Sequence, residues 1–307
     1  MRIKQILSAI DLLETRGDPD IEITGIAYHS QKVSPGNLFV CVNGYKTDGH
    51  KYLPSAVRNG AVAAIVETFQ DGIDIPQFRV ENSRIAMAAL AAAYYGNPSE
   101  RMKMIGITAT NGKTTTSYMT NAILENHGYQ TGLIGTVMIK IDDETSIPAV
   151  LTTPESLDLQ NYLSQMAERG VTHVTMEASS AALETHRVDN VHYDIVTFNN
   201  LSREHIDSHG SFEQYFNAKA SLIREASEKS VAVLNLDCPY SASLADQTRA
   251  RVITFGLKSK DGHIHCKDLD LSTGRGKFTV QILKPFDGND IELAPGEFEV
   301  QLSVPGL

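Results

Sequence analysis

Residues 105–116, which read IGITATNGKTTT, constrain the fold more than any other segment. An apolar run predicts a strand, a polar loop ends in Gly112-Lys113-Thr114, and about 14 residues of helical sequence follow. Backbone N–H groups at a helix N-terminus favour phosphate, Lys113 adds a positive charge, and the Thr114 hydroxyl can ligate Mg²⁺. The strict G-x-x-x-x-G-K-[ST] pattern fails because Ile107 replaces its first glycine, so a chance polar turn is the alternative. The flanking strand and helix favour a nucleotide site.

After Arg101 the chain alternates short apolar runs with helical stretches. Runs of this length are typical of buried strands, and the alternation predicts a doubly wound, mostly parallel α/β sheet. Ligands bind beyond the carboxyl ends of such strands, so the side chains after each run are the candidate site residues. After about residue 262 an alternation of period two predicts a terminal β hairpin or meander. The predicted parallel strands are residues 104–108, 131–134, 171–176, 194–198 and 230–234.

Residues 1–97 form a separate predicted domain, small and mixed in its strands and helices. Apolar runs at residues 21–27, 38–42 and 61–66 alternate with turn signals. An alanine-rich helical stretch at residues 83–95 then meets Gly96-Asn97-Pro98, where a helix should end and a connection begin. The predicted boundary follows Asn97, which leaves residues 98–307 for the second domain.

The charge balance limits the partners of this chain. Its 27 basic and 37 acidic residues give a formal charge of −10, which disfavours nucleic acid and anionic membranes as partners. The first residues, MRIKQILSAIDLLE, lack the apolar core of a signal peptide, and no apolar run of about 18 residues occurs elsewhere, so we expect a cytoplasmic protein. Three widely spaced cysteines indicate neither a disulfide framework nor a zinc site.

Two segments after predicted strands carry metal-ligand chemistry. Glu177 follows the run at residues 171–176, where a carboxylate can hold Mg²⁺ directly or through water. A solvated carboxylate at a loop entrance is the alternative, but a phosphate loop at the same sheet edge favours the metal. Residues 199–210 (NNLSREHIDSHG) crowd two histidines and two acids into one loop, and we favour a site role for His205 over a structural one.

Lys219 is a lysine in an apolar helical stripe. Ser211 and Gln214 fit a capping box, and the predicted helix carries its stripe at residues 212, 215, 216, 222 and 223. Lys219 falls inside that stripe, so it either extends to the rim or is buried for a purpose. Burial lowers a lysine's pKa and leaves neutral amine, which can react with carbon dioxide to give a carbamate, an anionic ligand for Mg²⁺.

Together these segments resemble the Mur ligase family over essentially the whole chain. Residues 110–114 (TNGKT) look like its phosphate loop, and residues 215–219 (YFNAK) match its carbamylated-lysine motif. The resemblance implies a P-loop ATPase-type second domain that uses ATP and Mg²⁺. The implied metal ligands are Thr114, Glu177, His205 and carbamylated Lys219, and the catalytic set is Lys113, Glu177, His205 and Lys219. The implied nucleotide-binding residues are Thr110, Asn111, Gly112, Lys113, Thr114, Thr115 and Asn235.

Within the family, the branch that adds the third amino acid to UDP-N-acetylmuramoyl-dipeptide is favoured. Residues 28–39 and 43–49 resemble its uridine-binding first domain, and residues 151–155, 176–180 and 186–188 resemble its muramoyl-dipeptide contacts. The guanidinium of Arg187 suits a phosphate or carboxylate. Helix capping ahead of Pro154 is the alternative for the two threonines before it. The implied substrate-binding residues are Ser30, Thr152, Thr153, Ser179, Thr185 and Arg187.

The chain departs from the family pattern at a few positions. The usual Asp-Ser-Arg of the first domain is His29-Ser30-Gln31, and the histidine usual after Ser-Ser is Ala181. The glycine common in the phosphate loop is Ala109. The first two departures bear on the exact substrate more than on the ATP chemistry.

The resemblance implies a ligase of peptidoglycan precursor synthesis, and hence a part in cell wall biogenesis, cell shape and cell division. The dipeptide carboxylate attacks the γ-phosphate of ATP, and the amine of a diamino acid displaces the resulting acyl phosphate. We expect a monomer. One alternative is a folylpolyglutamate synthetase, which shares the phosphate loop but lacks the first domain. The other is a non-catalytic nucleotide-binding module.

The last residues, 304–307 (VPGL), resemble the junction into the family's C-terminal domain, where the determinants for lysine or diaminopimelate lie. We therefore expect a chain shortened before that domain. Such a chain would bind the UDP-sugar substrate weakly or moderately and form no tripeptide by itself.

Overall fold

The computed structural model describes residues 1–44, 47–203, 210–271, 276–288 and 291–302. Its first sheet has five strands in the order β1-β5-β4-β3-β2, with β1 antiparallel at one edge and the other four parallel. The strands are β1 Glu14–Arg16, β2 Gly25–Ala27, β3 Asn37–Val40, β4 Ala63–Val66 and β5 Gln77–Arg79. Helix α1 Lys4–Leu7 precedes them, and helix α2 Leu53–Arg58 and the 3-10 turns Ser30–Lys32 and Gly49–Tyr52 lie between them along the chain. This is the small mixed fold that the sequence predicts.

Helix α3, Ser83–Tyr94, follows the first sheet. The Asn82 side chain caps it by accepting hydrogen bonds from the N–H groups of Arg84 and Ile85. Beyond the helix, Gly96 and Asn97 take left-handed conformations, with φ of 71° and 49°, and the 3-10 turn Pro98–Arg101 begins. The chain therefore changes direction where the sequence predicts a domain boundary.

The second sheet has eleven strands in the order β18-β15-β14-β13-β12-β11-β6-β10-β7-β8-β9. The seven from β14 to β7 are parallel, which confirms the predicted mostly parallel α/β fold. The parallel strands are β6 Lys103–Thr108, β7 Thr131–Ile134, β10 His173–Glu177, β11 Ile195–Phe198, β12 Val231–Asn235, β13 Arg251–Gly256 and β14 Ile264–Asp270. The others are β8 Met138–Lys140, β9 Ser146–Pro148, β15 Lys277–Ile282 and β18 Gly296–Gln301, with β16 Phe286–Gly288 and β17 Ile291–Leu293 as a separate pair.

Helices connect the parallel strands. They are α4 Lys113–Asn126, α5 Ser156–Glu168, α6 Ser180–Glu184, α7 Phe212–Arg224 and α8 Pro239–Ala242, with a 3-10 turn at Ala245–Gln247. The Ser211 hydroxyl caps α7 by accepting from the Gln214 N–H, as the sequence predicts. Among the helices that the structure describes, none is long and apolar enough to span a membrane.

The sequence analysis missed several strands, among them β1, β5, β8, β9 and the parallel strand β13, and found the terminal meander. Strands β8 and β9 have three residues each, too short for an alternating pattern to show, and they extend the sheet antiparallel beyond β7. The meander of β14, β15 and β18 is present, with β15 antiparallel to both of its neighbours.

The two sheets are joined along a seam at the start of α5. Leu157 of α5 is buried in the same apolar cluster as Leu38 and Phe78 of the first sheet. Beside it, the Tyr28 phenol donates a hydrogen bond of 2.6 Å to the Asp158 carboxylate. We call residues 1–97 the first unit and the residues from 98 onward the second. The first turn of α5 thus packs into the first unit, while α5 also contributes Leu159 and Leu163 to the core of the second.

Candidate functional site

The phosphate loop connects β6 to α4 at the carboxyl end of the sheet. Gly112 is the N-cap residue of α4 with φ of 84°, and a Cβ there would meet no atom within 4 Å. The glycine is therefore required by backbone conformation and not by lack of space. The Lys113 ammonium donates to the carbonyl oxygens of Ala109 and Thr110 at 3.0 and 3.1 Å. A cation and the first N–H groups of a helix thus lie together at the end of β6.

Glu177 is the last residue of β10, the strand next to β6, and it is fully buried. Its carboxylate accepts hydrogen bonds from the Thr136 N–H at 3.0 Å and from the hydroxyls of Thr136 and Thr114 at 3.0 and 3.1 Å. These three donors are neutral, so they solvate the carboxylate without cancelling its charge. The metal-binding acid and the phosphate-loop threonine that the sequence predicts are in direct contact.

These residues line a pocket of about 320 Å³ at the carboxyl ends of β6, β10 and β7. Seven predicted nucleotide or metal residues share it, namely Thr110, Asn111, Gly112, Lys113, Thr114, Glu177 and Lys219, together with the predicted substrate residues Thr152 and Ser179. The remaining lining residues are Thr136, Ser180 and Tyr215. A pocket with hydroxyls, amides, two lysines and one carboxylate suits a phosphate-bearing ligand with a cation.

Lys219 is buried, with 1% of its surface exposed. Its ammonium donates to the Ala109 carbonyl at 2.8 Å and lies 4.8 Å from the centre of the Tyr215 ring. Burial and the nearby Lys113 charge lower the pKa of Lys219 from 10.5 to about 7. Lys113 and Lys219 therefore approach the same carbonyl oxygen, and Lys219 does not extend to the rim.

Thr153 and Ser179 form a second polar layer behind Glu177. The Thr153 hydroxyl donates to the backbone oxygen of Glu177 at 2.8 Å and accepts from the Ser179 N–H at 3.1 Å. The Ser179 hydroxyl caps α6 through the Ala182 N–H. The alternative of helix capping for Thr152 and Thr153 is wrong, because α5 begins at Ser156 with Glu155 as its N-cap residue.

Arg187 reaches the same layer from the turn after α6. Its Nη1 donates to the Thr153 carbonyl at 3.3 Å, and its Nε lies 3.1 Å from the Glu155 carboxylate. The opposite carboxylate oxygen of Glu155 accepts from Nη1 of Arg84 at 3.2 Å. We call Arg84, Glu155 and Arg187 the Glu155 bridge, since one carboxylate joins two arginines across the seam.

Seven predicted residues are not among those lining the pocket: Thr153 and Arg187, described above, and Ser30, Thr115, Thr185, His205 and Asn235. Ser30 begins a 3-10 turn in the first unit, and Thr115 is exposed on α4. Thr185 ends α6, where its hydroxyl donates to the Ala181 carbonyl at 2.5 Å. Asn235 ends β12 and donates to the Asn199 carbonyl at 2.7 Å. His205 lies outside the described residues, within which no three His, Cys, Asp or Glu side chains group as metal ligands.

The sequence reasoning missed several site residues, among them Thr136, Gly135 and Asn200. Thr136 is the main donor to Glu177, and Gly135 lies so close that a Cβ would be 2.4 Å from a Glu177 carboxylate oxygen. Asn200 clamps the phosphate loop, since its side chain accepts from the Asn111 N–H at 3.0 Å and donates to the Asn111 carbonyl at 2.9 Å. Gly135 and Thr136 follow the predicted strand at 131–134, so inspecting every strand end would have found them.

Comparison with known proteins decides the family. Residues 107–305 match the model of the Mur ligase middle domain, and residues 22–95 match that of the Mur ligase family, catalytic domain. The chain belongs to the Mur ligase family. Membership of the family therefore holds although Ala109 and Ala181 replace the glycine and histidine that are usual at these positions.

Curated relatives similar to this Mur ligase chain include UDP-N-acetylmuramoyl-L-alanyl-D-glutamate--2,6-diaminopimelate ligases. The ligase of Caldanaerobacter subterraneus subsp. tengcongensis is 39% identical, and the match covers all of this chain and 61% of the relative. The ligase of Listeria monocytogenes serotype 4b is 41% identical, and the match covers 92% of this chain and 60% of the relative. The chain thus spans about three-fifths of the length of these relatives.

Solved structures agree on the fold. A UDP-N-acetylmuramoyl-L-alanyl-D-glutamate--2,6-diaminopimelate ligase structure superposes with a TM-score of 0.79 at 26% identity over 98% of this chain and 59% of the other. A folylpolyglutamate synthase from Mycobacterium tuberculosis covers only 64% of this chain with a TM-score of 0.52 at 16% identity, a likeness of fold alone.

Proposed function

We propose that this chain carries the UDP-sugar-binding and ATP-binding parts of a ligase that adds 2,6-diaminopimelate to UDP-N-acetylmuramoyl-L-alanyl-D-glutamate. The relatives' names support the substrates, since both relatives named above are ligases of this kind. The observation that carries the ATP chemistry is the convergence of Lys113, Glu177 and Lys219 on one pocket. We assign residues 1–97 to the UDP-sugar and residues 98–307 to ATP, and we place the enzyme in the cytoplasm as a monomer.

The proposed reaction has two steps. An oxygen of the terminal dipeptide carboxylate bonds to the γ-phosphorus of ATP, the bond to the β–γ bridging oxygen breaks, and ADP leaves. The amine nitrogen of diaminopimelate then attacks the acyl carbon, releases inorganic phosphate and loses a proton. Lys113 binds and orients the transferring phosphoryl group, where charge stabilisation contributes most to phosphoryl transfer. Thr110 to Thr115 and Asn235 are the proposed nucleotide contacts.

The pocket residues fit Mg²⁺. Glu177 is a buried carboxylate whose three hydrogen-bond donors are neutral, and hard oxygen ligands are those that Mg²⁺ prefers. Thr114, Glu177 and the carbamate of Lys219 are the proposed ligands, with His205 as a further one by resemblance. When bound, the ion supplies neutralisation of phosphate charge. The chain's own part is to hold these oxygens in place through Thr136 and the phosphate loop.

Carbamylation of Lys219 has a physical basis in its burial. A pKa of about 7 leaves a large share of neutral amine at neutral pH. That nitrogen can bond to the carbon of carbon dioxide and release one proton, which gives an anionic carbamate. The product would remove the repulsion between two ammonium groups that approach the Ala109 carbonyl.

The proposed substrate contacts are Ser30, Thr152, Thr153, Ser179, Thr185 and Arg187. Thr152, Thr153 and Ser179 support the assignment because Thr152 bonds the Thr136 hydroxyl that contacts Glu177, while Thr153 bonds the Glu177 backbone and Ser179. A carboxylate held there would face the pocket where the γ-phosphate is proposed to lie. Ser30 and Thr185 rest on the resemblance, since the structure holds them away from the pocket.

The test is whether nucleotide turnover depends on both other substrates. In a ligase of the relatives' full length, ADP release should require UDP-N-acetylmuramoyl-L-alanyl-D-glutamate together with diaminopimelate, and UDP-N-acetylmuramic acid without the dipeptide should not replace the former. Binding of each ligand to the purified chain should be measured by calorimetry in parallel. ATP binding without any binding of the UDP-sugar would instead favour a non-catalytic nucleotide-binding module.

A further inference from the structure

The Glu155 bridge has an unusual arrangement for a structural ion pair. Glu155 is the N-cap residue of α5, yet its side chain makes no capping hydrogen bond. The carboxylate turns to Arg84 and Arg187 instead, and the three side chains are only 17%, 16% and 15% exposed for Arg84, Glu155 and Arg187. Two guanidinium groups around one carboxylate leave a surplus positive charge in a partly buried place.

The guanidinium of Arg187 is incompletely satisfied. Its Nε atom is buried and has no hydrogen bond within the described residues, although it lies 3.1 Å from the Glu155 carboxylate. The distance is short but the N–H is not aligned with the oxygen. A buried donor without an acceptor is unfavourable, so the arginine pair is poised for an anion with better geometry.

Arg84 joins the two regions that the proposed function assigns to one elongated substrate. Its Nε donates to the Asn43 carbonyl at 3.3 Å, in the segment that resembles a uridine-binding loop. Its Nη1 donates to Glu155, which shares Arg187 with the Thr153 layer behind Glu177. Arg84 therefore stands between the proposed uridine end and the proposed peptide end, where a UDP-sugar carries phosphate oxygens.

We propose that Arg84 is a substrate-binding residue and that Glu155 holds the arginine pair in the free protein in place of an anionic group of the UDP-sugar. On binding, a phosphate or carboxylate oxygen of the substrate accepts from Arg84 and Arg187, and Glu155 turns away. This inference rests on the proposed function and adds to it one residue from the first unit. Lysine cannot replace Arg84 fully, because the planar fork serves two acceptors at once.

Calorimetric titration of the chain with UDP-N-acetylmuramoyl-L-alanyl-D-glutamate tests the proposal. Arg84→Ala should weaken binding about tenfold to a hundredfold, and Arg84→Lys should recover part of it. Arg79→Ala is the matched control, because Arg79 pairs with Glu14 on the surface at 3.4 Å and should leave affinity unchanged. Glu155→Gln should bind the substrate at least as tightly as the unmodified chain, since it removes the competing carboxylate.

Titration with UDP alone separates the two sources of the anion. Weakening of UDP binding by Arg84→Ala indicates the diphosphate, and weakening only of the muramoyl-dipeptide compound indicates a carboxylate; both support the proposal. Unchanged affinity in Arg84→Ala, or Glu155→Gln as weak as Arg84→Ala, would overturn it in favour of a structural ion pair. Failure of the unmodified chain to bind any UDP-sugar would overturn the proposed function and this inference together.

Discussion

The phosphate-loop pocket and the Glu155 bridge are two polar regions that differ in how the fold builds them. The pocket takes Lys113, Glu177 and Thr136 from the ends of three neighbouring parallel strands, β6, β10 and β7. Sheet topology alone brings such residues together. The bridge takes Arg84 from the start of α3, Glu155 from before α5 and Arg187 from after α6. It forms only when two separate units dock.

The two regions also hold charge differently. In the pocket, neutral hydroxyl and amide donors surround Glu177, and two lysines approach one carbonyl. In the bridge, two guanidinium groups share one carboxylate. A pocket of neutral donors and lysines is suited to receive a ligand of several negative charges, whereas two arginines that share a carboxylate must exchange it before they bind another anion. We therefore expect substitutions in the pocket to change ATP binding most and those at the seam to change it least.

The largest effect is expected for Lys113→Ala. This change should reduce ATP affinity at least about a thousandfold, roughly 4 kcal/mol, because it removes the cation of the phosphate loop. The fold should remain native by circular dichroism, since Lys113 contacts loop carbonyls and not the core. Lys103→Ala is the control, because Lys103 lies at the opposite end of β6 and pairs with Asp194 at 2.9 Å. Unchanged ATP affinity in Lys113→Ala would refute the nucleotide site.

The next effect concerns the free energy of unfolding and its pH dependence at Lys219. The folded-state pKa is lowered to about 7 from 10.5, so the unfolded chain binds more protons between these values and stability rises with pH across that window. Lys219→Met should be more stable by about 3 kcal/mol at or below pH 7, after allowing for the lost hydrogen bond to Ala109. This difference in the free energy of unfolding between Lys219→Met and the unmodified chain, the stability gap, should disappear as the pH approaches 10.5.

Urea unfolding in buffers free of carbon dioxide measures this gap, because carbamylation would otherwise change the charge of Lys219. The matching observation is a carbamate signal in carbon-13 NMR after adding labelled bicarbonate, present in the unmodified chain and lost in Lys219→Met. A gap that stays constant with pH would mean that Lys219 remains charged in the folded state. It would also remove the physical basis for the carbamate.

A smaller effect is expected for Gly135→Ala. The added Cβ would meet a Glu177 carboxylate oxygen at 2.4 Å, and three hydrogen bonds prevent that buried side chain from moving aside. We expect a loss of about 2 kcal/mol in the free energy of unfolding and a weaker dependence of ATP affinity on Mg²⁺. Gly296→Ala is the control, since its nearest atom would be the Ala294 carbonyl oxygen at 4.0 Å. Equal stability of the two variants would contradict a fixed Glu177.

The role of Gly135 is an example of what could not be predicted from the sequence alone. Five of the parallel strands of the second sheet, the phosphate loop and the capping of α7 follow from local periodicity and from residue types at strand ends, whereas the apolar stripe left Lys219 open between burial and the rim. The role of Gly135 follows only from the approach of a side chain 42 positions away in the sequence, which no local pattern encodes.

The Glu155 bridge was even less predictable from the sequence. Arg84 reads as an ordinary charged residue on the first turn of a predicted helix, and Glu155 reads as a polar residue ahead of another. Their meeting depends on how α3 docks against α5, which is a tertiary event. The sequence also allowed Thr152 and Thr153 to be interpreted as helix caps, because Pro154 alone does not determine where α5 begins.

The smallest effect is expected for Tyr28→Phe at the seam. Burial and the neighbouring Asp158 raise the pKa of the Tyr28 phenol, so it stays protonated and donates its 2.6 Å hydrogen bond at physiological pH. Its loss should lower the free energy of unfolding by about 1 kcal/mol and leave ATP affinity unchanged. Tyr94→Phe is the control, because that exposed phenol bonds the Thr24 carbonyl inside the first unit. If Tyr28→Phe weakens ATP binding, the seam and the pocket are energetically coupled. The two regions would then differ in how the fold builds them but not in their effect on ATP binding.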